Sequence, residues 1–236
     1  MRLRQLLPAL VTMVTLTCGL VALDAARMGD WDVALRLILL AAVADGIDGP
    51  LARRLRATSA MGEQLDSLAD LVAFGVAPAF LFSTYYGRAS DPVRLGVALA
   101  FVLAGAYRLA RFHAQPTAGV FCGLPITAAG PLLTTSVAGP FGASVWETGA
   151  IGLGLAVLMV CHHPFPTFAQ SRRWLLPAIA AASLPVALWP SVPTLAIVAA
   201  FILGAYVVWG VMVQVVGADL PEIGIEDVQD AGRRQP

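Results

Sequence analysis

Residues 45–70 read Asp45-Gly46-Ile47-Asp48-Gly49-Pro50-Leu51-Ala52-Arg53-Arg54-Leu55-Arg56-Ala57-Thr58-Ser59-Ala60-Met61-Gly62-Glu63-Gln64-Leu65-Asp66-Ser67-Leu68-Ala69-Asp70. This polar stretch joins two long apolar runs, at about 32–50 and 66–86. Asp45 and Asp48 are three apart and share a helix face; Asp66 and Asp70 are four apart and share another. Gly62 lies one turn before Asp66 on the same stripe. The basic link between the runs is short, which predicts neighbouring antiparallel helices with both acidic pairs converging on one spot.

The rest of the composition says what surrounds that spot. Of 236 residues, 58% are hydrophobic and only 13% charged. A soluble domain is nearer half apolar and about a quarter charged, so a water-facing surface could not be covered. A spanning helix needs about 20 mostly apolar residues. Apolar runs bounded by charge, Pro or Gly delimit eight segments near 8–26, 32–50, 66–86, 92–113, 124–142, 145–162, 173–189 and 191–216. Gly and Pro interrupt the fifth to seventh, so the expected fold is an all-α integral membrane bundle of six to eight transmembrane helices. The expected division is a membrane domain over 1–217 and a polar cytoplasmic tail over 218–236, whose acids read as a solvated end. No small-residue cleavage site follows the first apolar stretch, which is therefore read as a span and not a removed leader. A net charge of zero gives no bulk attraction for nucleic acid. Cys18, Cys122 and Cys161 show neither metal-ligand spacing nor a disulfide framework and read as small buried hydrophobes.

All fifteen basic residues are arginine. With the N-terminus in the cytoplasm, Arg2, Arg4, Arg53, Arg54, Arg56, Arg108, Arg111, Arg172, Arg173, Arg233 and Arg234 fall on the cytoplasmic side. Arg27, Arg36, Arg88 and Arg94 fall on or near the other. Eleven against four is the asymmetry expected of a bacterial inner-membrane protein with its acidic cluster at the cytoplasmic face.

Four carboxylates brought together repel, and burial disfavours their charge. A divalent cation relieves both effects. Oxygen donors without accompanying His or Cys suit Mg²⁺, Mn²⁺ or Ca²⁺ and not zinc. Gly46, Gly49 and Gly62 allow close approach of a backbone or a phosphate, and Arg53 can fork onto phosphate oxygens. The pattern describes a diphosphate held between metal and arginine. Metal or proton transport would favour acids near mid-bilayer on several helices, whereas these four sit at one edge on two.

The spacing Asp-x-x-Asp-Gly-x-x-Ala-Arg, eight residues, then Gly-x-x-x-Asp-x-x-x-Asp resembles the signature of the CDP-alcohol phosphotransferases. Asp45, Asp48, Gly49, Ala52, Arg53, Gly62, Asp66 and Asp70 match every position of it. The resemblance implies a helical membrane fold, usually a homodimer among membrane lipids, with two divalent cations, Mg²⁺ or Mn²⁺. It implies transfer of a phosphatidyl group from a CDP-linked lipid such as CDP-diacylglycerol to an alcohol, releasing CMP. Asp45, Asp48 and Asp66 would ligate one metal, and Asp66 and Asp70 the second. Asp70 would also be the general base, while Gly49, Ala52, Arg53, Ser59 and Gly62 would line the CDP site.

Beyond the signature, the chain is similar to the branch of that family whose acceptor is L-serine. The similarity runs through Asp66–Pro78, Tyr107–Phe112 and Gly123–Ile126, with weaker echoes at Thr15–Leu20 and Pro164–Phe168. Arg108 and Arg111 are placed to meet an acceptor carboxylate, or equally a phosphate if the acceptor is glycerol 3-phosphate or an inositol phosphate; choline is a further candidate. His113 stands where that branch commonly has Asn and joins the candidate acceptor residues. His162 and His163 close segment six, where histidine is ordinarily interfacial.

Overall fold

A computed structural model of the chain describes residues 3–55, 57, 59–87, 92–114, 121–138, 144–161, 164–165 and 204. The helices α1 (Leu3–Met28) and α2 (Trp31–Leu55) come first. Ser59 then caps α3 (Ala60–Asp70), its Oγ accepting the Gly62 amide at 3.1 Å. Without a break the chain passes through a π-helical segment, Leu71–Val76, into α4 (Ala77–Tyr85). Next come α5 (Pro92–Ala114), α6 (Ile126–Ala138) and α7 (Val145–Val160). The strands β1 (Phe121–Cys122) and β2 (Pro164–Phe165) pair antiparallel, Phe121 opposite Phe165. They link the start of α6 to the chain after α7.

The expected helical class is what the described residues show, with the strand pair as an addition. Three stretches are long and apolar enough to cross a membrane: Pro8–Met28, Ala60–Tyr85 and Pro92–Ala114. The third expected segment begins at Ala60 and not near 66, because the Ser59 cap lets a polar first turn join the helix. The fifth and sixth appear as the shorter apolar helices Ile126–Val137 and Val145–Val160. The seventh and eighth, and the polar tail, lie outside the described residues apart from Gly204.

The two ends of the bundle differ in chemistry. At one end the Trp31 and Tyr85 rings meet edge to face at 5.4 Å, Tyr86 donates to or accepts from Thr148 at 2.7 Å, and Arg94 donates to the Tyr86 carbonyl. Tryptophan and tyrosine collect at membrane interfaces, where an apolar ring and a polar tip are both accommodated. Asp45 and Asp70 each lie roughly 21 Å of helix from that aromatic layer, at about 1.5 Å per residue. The two acids therefore stand at matching distances from that layer, towards the other end of the bundle.

Pro78 explains the π-turn. It has no N–H to donate to the Phe74 carbonyl, and its ring crowds that oxygen in a regular α-helix. The Ala77 amide instead reaches back to the Val72 carbonyl, which widens the turn by one residue. Around this turn the helices approach through small residues. A Cβ added to Gly19 on α1 would stand 2.7 Å from the Ala73 Cα, and one added to Gly130 on α6 would stand 2.4 Å from the Phe74 oxygen. Lipid offers little hydrophobic drive for helix association, so close backbone packing carries it. Gly130→Ala is expected to lower stability in detergent by about 1–3 kcal/mol, the usual range for overpacking. Gly154→Ala, with nothing within 4 Å of the added methyl, should leave the melting temperature unchanged or slightly raised.

Candidate metal centre

Carboxylate oxygens of Asp45, Asp66 and Asp70 all lie within 4.8 Å of one another. Asp45 comes from α2, and Asp66 and Asp70 come from one stripe of α3. α2 packs against the π-segment and α4, while α1 lies against both α2 and α3 and holds them in register. Asp45 and Asp66 are half-buried, and Asp70 is 8% exposed at the junction with the π-turn. Asp48 and Gly49 lie on α2 within or just beyond one turn of Asp45, with Ala52 and Arg53 a turn further. The side chains of Asp48, Ala52 and Arg53 are outside the described residues.

Three carboxylates so close need a compensating cation or shared protons. The donor set is oxygen only, and among the described residues it is the one group of three or more His, Cys, Asp or Glu side chains with ligand atoms this near. Opposite ligands of an octahedral Mg²⁺ stand about 4.2 Å apart. A spread of up to 4.8 Å therefore fits carboxylates around one ion or bridging two. Gly46 leaves its surroundings open, with nothing within 4 Å of where a Cβ would be. Ser59 and Gly62 are engaged with each other at the α3 cap.

The basic residues of α5 divide. Arg108 is 8% exposed, buried on the face that carries Phe101, Ala104 and Leu109. Arg111 turns to α7, donating through Nη1 to the Val160 carbonyl at 2.9 Å and through Nη2 to the Cys161 carbonyl at 3.2 Å. Its guanidinium also lies 5.7 Å from the centre of the Tyr107 ring. Arg111 thus holds carbonyls that no helical amide reaches, at the negative end of α7. Gly123, beside it, takes φ +84° and stands where a Cβ would be 2.4 Å from the Met159 oxygen. His113 reaches back to α3 and meets Ser67 at 3.5 Å.

The sequence profile of CDP-alcohol phosphatidyltransferases matches residues 5–218. The chain belongs to this family. Within it, the chain is 34% identical over 176 residues to a CDP-diacylglycerol–serine O-phosphatidyltransferase of Helicobacter pylori, covering 71% of this chain and 74% of that protein. It is 32% identical over 176 residues to the protein of that name from Bacillus subtilis, covering 71% of this chain and 98% of the relative. A Mycobacterium leprae protein of the same name is 39% identical over 159 residues, and there the chain spans about half of the relative, 51%. This family member is thus an integral membrane phosphotransferase by kinship, and Asp45, Asp66 and Asp70 are the signature acids that its fold brings together.

Sequence reasoning missed the cap that Arg111 forms on α7 and the Ser67–His113 contact; neither has a local signal, since the partners are 46 to 50 residues apart. The π-turn did have one, in a proline inside an otherwise continuous helical run. Arg111→Ala should lower thermal stability by about 1–3 kcal/mol through the lost charged hydrogen bonds, read by unfolding in detergent. In Mn²⁺ titrations followed by electron paramagnetic resonance, Asp45→Asn, Asp66→Asn and Asp70→Asn should each weaken binding at least about tenfold.

Proposed function

We propose that the chain transfers the phosphatidyl group of CDP-diacylglycerol to the hydroxyl of L-serine, with release of CMP. The observation that carries this reading is the convergence of three signature carboxylates in a family member whose similar proteins share one acceptor in their names. Divalent cations, Mg²⁺ or Mn²⁺, bound by Asp45, Asp48, Asp66 and Asp70 would neutralise the diphosphate and the charge on departing CMP.

Asp70 is the base in this scheme. Its carboxylate accepts the proton of the serine hydroxyl while that oxygen attacks the phosphorus bearing diacylglycerol; the bond from that phosphorus to the CMP oxygen breaks. A hydroxyl is a poor nucleophile until a positioned base takes its proton. Burial at the end of α3, where the chain runs on into the π-helical turn, supports the role, because a packed side chain is held in place. Gly49, Ala52, Arg53, Ser59 and Gly62 line the CDP side, with Arg53 forking onto phosphate. Arg108 is the better candidate for the serine carboxylate, since Arg111 is committed to α7. The acyl chains stay in lipid while the cytidine faces the cytoplasm, an orientation supported by the arginine asymmetry and suited to a homodimer in a bacterial inner membrane.

Purified protein given CDP-diacylglycerol, Mn²⁺ and serine should release CMP in step with phosphatidylserine, and a chelator should stop it. With Mn²⁺ in saturating excess, Asp70→Asn should cut kcat by roughly 10²–10⁴ while leaving the KM for CDP-diacylglycerol little changed. CMP release with glycerol 3-phosphate and not with serine would overturn the acceptor.

A further inference from the structure

A polar contact outside the carboxylate group joins α3 to the far end of α5. The Ser67 hydroxyl lies 3.5 Å from Nε2 of His113, and Nδ1 of the same ring lies 3.0 Å from the Leu109 carbonyl oxygen. A carbonyl only accepts, so Nδ1 carries the hydrogen. In the neutral ring Nε2 is then a lone pair, and the Ser67 hydroxyl donates to it. Donation in that direction leaves the lone pairs of the Ser67 oxygen for a second donor.

The position of Ser67 says which donor. Successive residues of an α-helix turn by about 100°, so Ser67 stands about 60° from Asp70, between the acidic stripe and the outward-facing Leu68, 61% exposed. Residues three apart have Cβ atoms about 5–6 Å from each other. An alcohol with an amine on the adjacent carbon spans such a gap, its hydroxyl at Asp70 and its nitrogen at Ser67. An ammonium has three donors and no acceptor, so it needs oxygen or nitrogen lone pairs and a negative surrounding. Ser67, backed by His113 and flanked by the carboxylates of the same helix, supplies both.

We propose that Ser67 and His113 form the corner of the acceptor site that recognises the ammonium of an amino alcohol, Ser67 by direct contact and His113 by orienting its hydroxyl. This deepens the serine reading and rests on it. The test uses the purified full chain with CDP-diacylglycerol and serine, adding two competitors: ethanolamine, which keeps hydroxyl and ammonium, and 3-hydroxypropionate, which keeps hydroxyl and carboxylate. Ser67→Ala and His113→Ala should raise the serine KM and the ethanolamine Ki roughly tenfold, the effect of one charge-assisted hydrogen bond. The 3-hydroxypropionate Ki and the KM for CDP-diacylglycerol should stay put, which also reports an intact fold. His113→Gln, whose amide oxygen reaches about as far as Nε2, should recover part of the loss. Equal shifts for all three small molecules, or none, would overturn the corner while leaving the serine reading in place. A wild-type protein that turns over no serine would remove the reading itself, and the corner with it.

Discussion

Mutual repulsion among carboxylates inside an apolar bundle is the constraint on which the rest of this structure depends. Asp45, Asp66 and Asp70 bring like charges within 4.8 Å, with Asp70 only 8% exposed. Such a group persists only if the scaffold pays the orientation in advance, and the scaffold here does so by backbone contact. Gly19 and Gly130 bring α1 and α6 against Ala73 and Phe74, the turn that directly follows Asp70. Asp70 is therefore displayed beside a closely packed turn, in which Phe74 is fully buried.

The π-turn is where packing and chemistry meet. Pro78 forces one extra residue into the turn, so the face that α4 turns to the core is out of phase with the face that α3 turns to the carboxylates. A regular helix from Ala60 to Tyr85 would hold one phase throughout. The widened turn lets a single membrane-crossing stretch serve a polar site at one end and an apolar core at the other. Irregular backbone of this kind is tolerated in a membrane only where protein surrounds it, as α1, α5 and α6 do here.

Basic residues show how one residue type takes different work according to its neighbours. Arg111 closes the carbonyl end of α7, Arg94 holds the Tyr86 carbonyl at the aromatic layer, and Arg27 pairs with Asp24 at the surface. Arg108 is buried within the bundle, where a permanent cation is expensive and defaults to function. Counting arginines on two sides, as positive-inside reasoning does, treats all of these alike.

The sequence alone determined the helical membrane class, helices at six of the expected segments, of which three are long and apolar enough to cross a membrane, the acidic stripe of α3 and the family to which the chain belongs. These follow from composition, from periods of three and four residues, and from a local signature of 26 residues. Hydropathy could not tell that the third helix starts at Ala60, because a side-chain cap and not an apolar residue begins it. Tertiary structure decided that Asp45 from α2 closes on Asp66 and Asp70, that Arg111 serves α7, and that His113 meets Ser67. Each of these joins residues distant along the chain, and which distant side chains meet is set by how the helices pack, a property no local period encodes.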